Sequence, residues 1–284
     1  MLQVVRARKA GFCMGVAMAL NKLDKEVDAR PRGHVATLGE IIHNPQVLEE
    51  YAEQGVSCLR DPQEATEGQV VIIRAHGITR DVEEALRARG VDVTDATCPR
   101  VKSAQLAIAR STADGTPLLL YGEEDHPEVK GLLSYAHAHR HVFSNEEGLR
   151  EALIGLPEGC KLVLASQTTQ DRKKFEELCT LLKARTDHEV KILDTICDAT
   201  RQRQQEAQEV AGTVDAMVVV GGRSSGNTRR LAEISSRSVP SFLIETADEL
   251  KAEDFKDFKV VGLTAGASTP KRLIDATEER LKSF

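Results

Sequence analysis

Apolar, β-branched runs alternate with amphipathic stretches along the whole chain. The strand-like runs are Leu2–Val5, Val35–Leu38, Val70–Arg74, Val91–Thr94, Pro117–Tyr121, Lys161–Ala165, Val190–Leu193, Ala216–Val220, Ser241–Ile244 and Val260–Leu263. Between most of them apolar residues recur at helical spacing, as in Arg80–Arg89, Val101–Ala109, Arg172–Ala184 and Ala199–Val210. Such alternation predicts an α/β protein whose parallel sheets are covered by helices. Ten or more strands in one continuous sheet would be unusual. Three small sheets fit better, because one signal recurs three times.

That signal is a cysteine between a strand-like run and a helix-like one. Cys98 lies in Asp95-Ala-Thr-Cys-Pro99 and Cys197 in Asp194-Thr-Ile-Cys-Asp198. Cys13 lies in Gly11-Phe-Cys-Met-Gly15, after Leu2-Gln-Val-Val. The expected organisation is three small parallel-sheet α/β lobes around one shared site, divided as 1–97, 98–193 and 194–284. A thiolate at a helix N-terminus is favoured by the helix dipole and by free backbone N–H groups. Three thiolates coordinate zinc, or three irons of a [4Fe–4S] cube whose fourth iron stays open. Three small buried cysteines are the other reading, since free cysteine is often buried. Cys58, Cys160 and Cys179 read as structural.

Composition narrows the setting. The 284 residues carry a net charge of −6, which gives no broad attraction for nucleic acid. Aromatics are 4% with no Trp, which argues against stacking platforms for single strands. No apolar run is long enough to span a bilayer, and Met1-Leu-Gln-Val-Val-Arg-Ala-Arg-Lys9 has no apolar signal core. A cytoplasmic protein without membrane or nucleic-acid partners is therefore expected. Thiols stay reduced there, so six widely spaced cysteines mean metal, catalysis or burial.

In parallel sheets ligands gather where strand ends lead into helix N-termini. Six polar loops fall at such places: His43-Asn44-Pro45, Arg74-Ala-His76-Gly77, Asp125-His126-Pro127-Glu128, Ser166-Gln-Thr168-Thr169, Ser224-Ser225-Gly226-Asn227-Thr228 and Ala265-Gly-Ala-Ser268-Thr269. Any one of His43, His76 and His126 alone reads as a loop or capping histidine. The three together point to an anion such as a diphosphate. Glu128, in a first helical turn, is a dipole-favoured surface carboxylate or a proton donor facing a cavity. The Ser225, Asn227, Thr228 and Ser268 loops suit phosphate oxygens, or are plain turns. His137, His139 and His141 alternate as a metal tract would, but read rather as a solvated strand edge.

Taken in order, Gly11-Phe-Cys-Met-Gly-Val16, His43-Asn-Pro45, Arg74-Ala-His-Gly77, Asp95-Ala-Thr-Cys-Pro99, His126-Pro-Glu-Val129, Gln167-Thr-Thr169, Thr195-Ile-Cys197 and Thr264-Ala-Gly-Ala-Ser-Thr-Pro270 resemble the 4-hydroxy-3-methylbut-2-enyl diphosphate reductases. This is the iron–sulfur LytB family that ends the non-mevalonate isoprenoid pathway. The resemblance implies Cys13, Cys98 and Cys197 as ligands of a [4Fe–4S] cluster, and a substrate that is an allylic alcohol diphosphate. Its hydroxyl is removed as water with two electrons from a donor such as ferredoxin or flavodoxin. Glu128 and Thr168, with His126, are the implied catalytic residues. His43, His76, His126, Thr168, Ser224, Ser225, Asn227 and Ser268 are the implied substrate-binding ones. The chain departs from the family at Asp125, usually Gly, and at Gly226, where a phosphate-binding hydroxyl is missing. Two rival readings remain: an iron–sulfur redox sensor on the same fold, and a three-cysteine zinc hydrolase of phosphate esters.

Overall fold

Twelve strands form three separate four-stranded sheets among the residues that the computed structural model describes, 2–137, 139–185 and 187–284. Met1, Ala138 and Thr186, which the expected lobes include, lie outside them. Two compact units result.

The first unit comprises Met1–Ala17, Ile42–Tyr51 and Asp198–Phe284. Its sheet contains β1 (Gln3–Arg6), β10 (Ala216–Val220), β11 (Ser241–Ile244) and β12 (Val260–Ala265), all parallel. The helices starting in it are α1 (Met14–Ala29), α2 (Pro45–Glu53), α8 (Asp198–Ala211), α9 (Gly226–Ser235) and α10 (Lys271–Lys282). The second unit comprises Met18–Ile41 and Ala52–Cys197. One of its sheets contains β2 (Val35–Leu38), β3 (Ser57–Leu59), β4 (Val70–Ile73) and β5 (Asp92–Asp95). The other contains β6 (Leu118–Tyr121), β7 (Arg140–Phe143), β8 (Lys161–Ser166) and β9 (Glu189–Ile192). Its own helices are α3 (Arg80–Ala88), α4 (Pro99–Ser111), α5 (Pro127–Leu133), α6 (Glu146–Leu153) and α7 (Arg172–Arg185).

The three sheets share one strand order. The second unit gives β3-β2-β4-β5 and β7-β6-β8-β9; the first gives β11-β10-β12-β1. Inner strands such as β4, β6 and β10 are buried at every position, which is why they read as unbroken apolar runs. Outer strands such as β5 and β9 are half-exposed and polar. The N-terminal strand takes in the first unit the edge that β5 and β9 take in the others, pairing Gln3 with Val260 and Arg6 with Leu263. Without it, β12 would present a row of unpaired backbone groups. The segment 1–97 therefore contributes strands to two sheets.

Two strands fall outside the apolar runs of the sequence, β3 and β7. Both are short edges. His141 lies on β7, in keeping with a solvated strand edge. Leu118 and Leu120 of β6, Ala104 and Ile108 of α4, Val129 and Leu132 of α5, and Val163 of β8 form one buried cluster. Burying one such large apolar side chain contributes about 1.5–3 kcal/mol. That cluster packs α4 and α5 against β6 and β8. None of the helices among the described residues is long and apolar enough to cross a membrane.

Candidate active site

Each of the three junction cysteines follows an edge strand, and each is tied by its backbone to the neighbouring strand's loop. The Cys98 N–H donates to Ala75 O at 2.9 Å, the Cys197 N–H to Thr168 O at 3.0 Å, and the Cys13 N–H to Ala267 O at 3.1 Å. The three accepting loops are those of His76, Thr168 and Ser268. The repeated strand order thus places a cysteine beside a candidate substrate residue once in every sheet. All three are half-buried and outside any disulfide. Cys98 caps α4, with Pro99 in its first turn; Cys13 and Cys197 immediately precede α1 and α8. The Cys13 sulfur accepts from the Val16 N–H at 3.5 Å. Such N–H groups favour a thiolate, the ligating form. Cys58, by contrast, is exposed on the edge strand β3, so burial does not explain it. Cys160 stands 3.4 Å from His188 Nδ1. Burial raises the thiol of Cys179 to about 11, which keeps it protonated and inert.

The loops of β6 and β8 bring together the carboxylate and the threonine picked out by the sequence. Glu128 is 1% exposed. Its Oε1 accepts from the Thr168 N–H at 2.6 Å and its Oε2 from the Thr168 hydroxyl at 3.0 Å. A surface role for Glu128 is therefore excluded. One residue of the β8 loop satisfies both oxygens, as a buried carboxylate requires. His126 caps α5: its Nδ1 accepts from the Glu128 N–H at 3.1 Å, which leaves Nε2 as the proton-bearing nitrogen of a neutral ring. The His76 ring meets the His126 ring edge-on, 5.2 Å between centroids. Asp125 is fully exposed, with its carboxylate 3.4 Å from Lys130, so its added charge faces solvent.

The first unit assembles a second set. The Ser268 hydroxyl donates to His43 O at 3.0 Å. Ser225 caps α9 by accepting from the Thr228 N–H. Glycines let these loops close together: a Cβ on Gly266 would stand 2.0 Å from Thr228 Oγ1, and one on Gly222 would stand 2.8 Å from His43 O. Asn227 and Asn44 are buried, and their Nδ2 groups have no acceptor among the described residues. An unmade buried hydrogen bond costs about 1–3 kcal/mol, so both amides suit an incoming anion. Ser224 differs from its neighbours Ser225 and Asn227 in being exposed.

Two supporting residues, Arg203 and Lys22, gave no sequence signal, and a third, Asp95, entered only as part of the Cys98 motif. Arg203 of α8 is 4% exposed and donates to Lys9 O at 3.0 Å and Gly11 O at 2.7 Å, holding the loop that carries Cys13. Lys22 of α1 donates to Asp95 O at 2.5 Å, beside the Cys98 loop. Asp95 accepts from the Thr97 N–H at 2.9 Å and pairs with Lys102. Burial pushes its carboxyl upward, but the hydrogen bonds of Lys102 and Thr97 outweigh this and hold it below 3.8. Their partners are remote in sequence or set by loop geometry, which no local pattern reveals.

Comparison with known proteins identifies the family. The profile of the LytB protein family matches residues 4–282. A protein of Desulfovibrio desulfuricans called 4-hydroxy-3-methylbut-2-enyl diphosphate reductase is 54% identical, with 100% of both chains covered. One of the same name from Geobacter sulfurreducens is 44% identical over 100% of this chain and 98% of its own. Among solved structures, an (E)-4-hydroxy-3-methyl-but-2-enyl diphosphate reductase, described as the terminal enzyme of the non-mevalonate pathway, is 41% identical with a TM-score of 0.69, both chains being covered in full. The Plasmodium falciparum E-1-hydroxy-2-methyl-but-2-enyl-4-diphosphate reductase reaches a TM-score of 0.92 at 25% identity, over 98% of this chain and 87% of that one.

Proposed function

The chain belongs to the LytB family, and we propose that it catalyses the reaction its relatives are named for, reduction of 4-hydroxy-3-methylbut-2-enyl diphosphate. The allylic C–O bond breaks, the oxygen leaves as water, and two electrons and two protons are taken up. One proton goes to the leaving oxygen and one to carbon, giving isopentenyl or dimethylallyl diphosphate according to the carbon protonated. The setting is the cytoplasm. The electrons come from a small low-potential carrier such as a ferredoxin or flavodoxin.

Cys13, Cys98 and Cys197 would hold a [4Fe–4S] cluster: each is a half-buried cysteine outside any disulfide, at the start of a helix. When bound, the cluster supplies one-electron transfer and a Lewis-acidic iron. The remaining chemistry belongs to the chain. Hydroxide is a poor leaving group, so the departing oxygen needs a proton. Glu128 takes up that proton on Oε2; the 3.0 Å contact then reverses, Oε2–H donating to Thr168 Oγ1, whose own hydroxyl proton passes to the departing oxygen. His126 sits one residue from Pro127 and orients Glu128 through its cap. His43, His76, His126, Ser225, Asn227 and Ser268 hold the diphosphate, with Ser224 at the exposed edge of its loop. The buried amide of Asn227, otherwise without an acceptor among the described residues, donates to a phosphate oxygen. The N–H of Gly226 in the first turn of α9 serves where its side chain offers no hydroxyl.

The observation that carries this reading is the Glu128–Thr168 pair on a loop bonded to Cys197. A sensor that merely held a cluster would have no use for a buried acid. The test is anaerobic purification, a spectrum, and an assay with reduced methyl viologen and the allylic diphosphate. Absorption near about 400 nm with substrate-dependent viologen oxidation is expected. A colourless zinc protein, or a brown one that leaves substrate intact, would overturn the reading.

A further inference from the structure

The reaction consumes two electrons, so a reduced partner must come close to the cysteines, of which Cys98 lies in the second unit. One feature of that unit has no role in substrate binding. An open groove of about 430 Å³ runs between α1 and α4, lined by Met18, Lys22, Asp95, Lys102, Leu106 and Arg110, and also by both neighbours of Cys98, Thr97 and Pro99. Met18 and Leu106 are 36% and 54% exposed, large apolar side chains facing water. Leu106 and Arg110 are one turn apart on α4, as are Met18 and Lys22 on α1, so each helix offers an apolar side chain beside a cationic one. α4 carries Arg100, Lys102 and Arg110 and no carboxylate, in a chain whose net charge is −6. In the groove, Lys22, Lys102 and Arg110 face one acid, Asp95, which is already paired with Lys102.

We propose that this groove is the docking surface for a small acidic one-electron carrier protein, which seats an apolar patch on Met18 and Leu106 and its carboxylates against Lys22 and Arg110. The inference rests on the reductase reading above. Charge complementarity selects the partner: the groove lining has three cations and one acid in a chain whose net charge is −6, so an acidic carrier is attracted here. The apolar centre with a charged rim is the usual anatomy of a protein interface. Contact through Thr97 and Pro99 puts the carrier one residue from Cys98. Two docking events, each delivering one electron and releasing an oxidised carrier, complete one turnover.

The test uses an acidic bacterial ferredoxin as the probe and the full chain in its cluster-loaded form. Binding is measured by titration at low and high salt, and turnover is measured twice, with reduced ferredoxin and with reduced methyl viologen. Arg110→Glu and Leu106→Glu alter exposed side chains that hold no substrate residue; Lys256→Glu, on the first unit, is the control. Each groove variant should weaken ferredoxin binding by about tenfold or more, equivalent to about 1.4 kcal/mol. Ferredoxin-driven turnover should fall, viologen-driven turnover should stay unchanged, and parent binding should weaken as salt rises. Unchanged ferredoxin affinity in both groove variants, or an equal loss in Lys256→Glu, would overturn the proposal. Parent protein without viologen-driven turnover would instead overturn the reductase reading, and the binding titration would still judge the groove.

Discussion

Glu128 and Thr168 meet through two hydrogen bonds, 2.6 Å from the threonine N–H and 3.0 Å from its hydroxyl, while the Thr168 carbonyl accepts from Cys197. A single residue thus joins the buried Glu128 carboxyl to a cysteine junction. The backbone half of this link survives any side-chain change at 168, and the hydroxyl half does not.

Glu128→Gln keeps the shape and one acceptor but removes the exchangeable proton. Turnover should fall by about 10²–10⁴-fold, with the spectrum near about 400 nm unchanged. Asp125→Asn, at an exposed position, should leave turnover near normal. Steady-state kinetics of the two variants separates them; the reverse pattern would identify Asp125 as the acid.

Serine in place of Cys13, Cys98 or Cys197 should abolish the cluster absorption near about 400 nm. The same change at Cys58, Cys160 or Cys179 should leave iron content at the parental level. Cys179, its thiol raised to about 11 by burial, should also resist alkylation at pH 8, where exposed Cys58 reacts. A cluster-loaded Cys98→Ser protein would count against the ligand set.

Asp95 links stability to acid pH. Its folded carboxyl is held below 3.8, chiefly by Lys102 and Thr97 working against burial. A depressed carboxyl stabilises the fold above its unfolded value and loses that contribution as pH falls through the folded one. Denaturation midpoints of the parent should therefore drop steeply below pH 3.8, and those of Asp95→Asn less so. Equal slopes for the two would show that the Lys102 pair contributes nothing.

Gly266 has no room for a methyl group, because a Cβ there would stand 2.0 Å from Thr228 Oγ1. Gly266→Ala should destabilise by about 1–3 kcal/mol through overpacking. It should also weaken substrate more than it slows turnover, since it displaces the Ser225–Thr228 and Ser268 loops. Calorimetry and a comparison of KM with kcat check both.

Read as a string, the chain already disclosed its fold class and the residues proposed for its chemistry. Inner strands such as β6 and β10 are buried on both faces, so they must be continuous apolar runs, and continuous runs are visible locally. Cysteines and prolines at strand-to-helix junctions are visible for the same reason. Glu128, Thr168 and the histidines could be picked out because strand-end loops are where parallel sheets place chemistry. What no local pattern carried was partnership. β1 belongs with β12 across the full length of the chain, because an edge strand's place depends on which sheet still has an open edge. β3 and β7, short and half-exposed, lack the apolar run that marks an inner strand. Whether Glu128 was a surface carboxylate or a buried acid rested on 40 residues of separation from Thr168, closed only when β6 and β8 pair. Arg203 looked like any helix arginine until α8 brought its guanidinium to the Lys9 and Gly11 carbonyls. Residue type and local period are written in the sequence; which donor meets which acceptor is settled by tertiary packing, since both ends of each bond must be placed before either is satisfied.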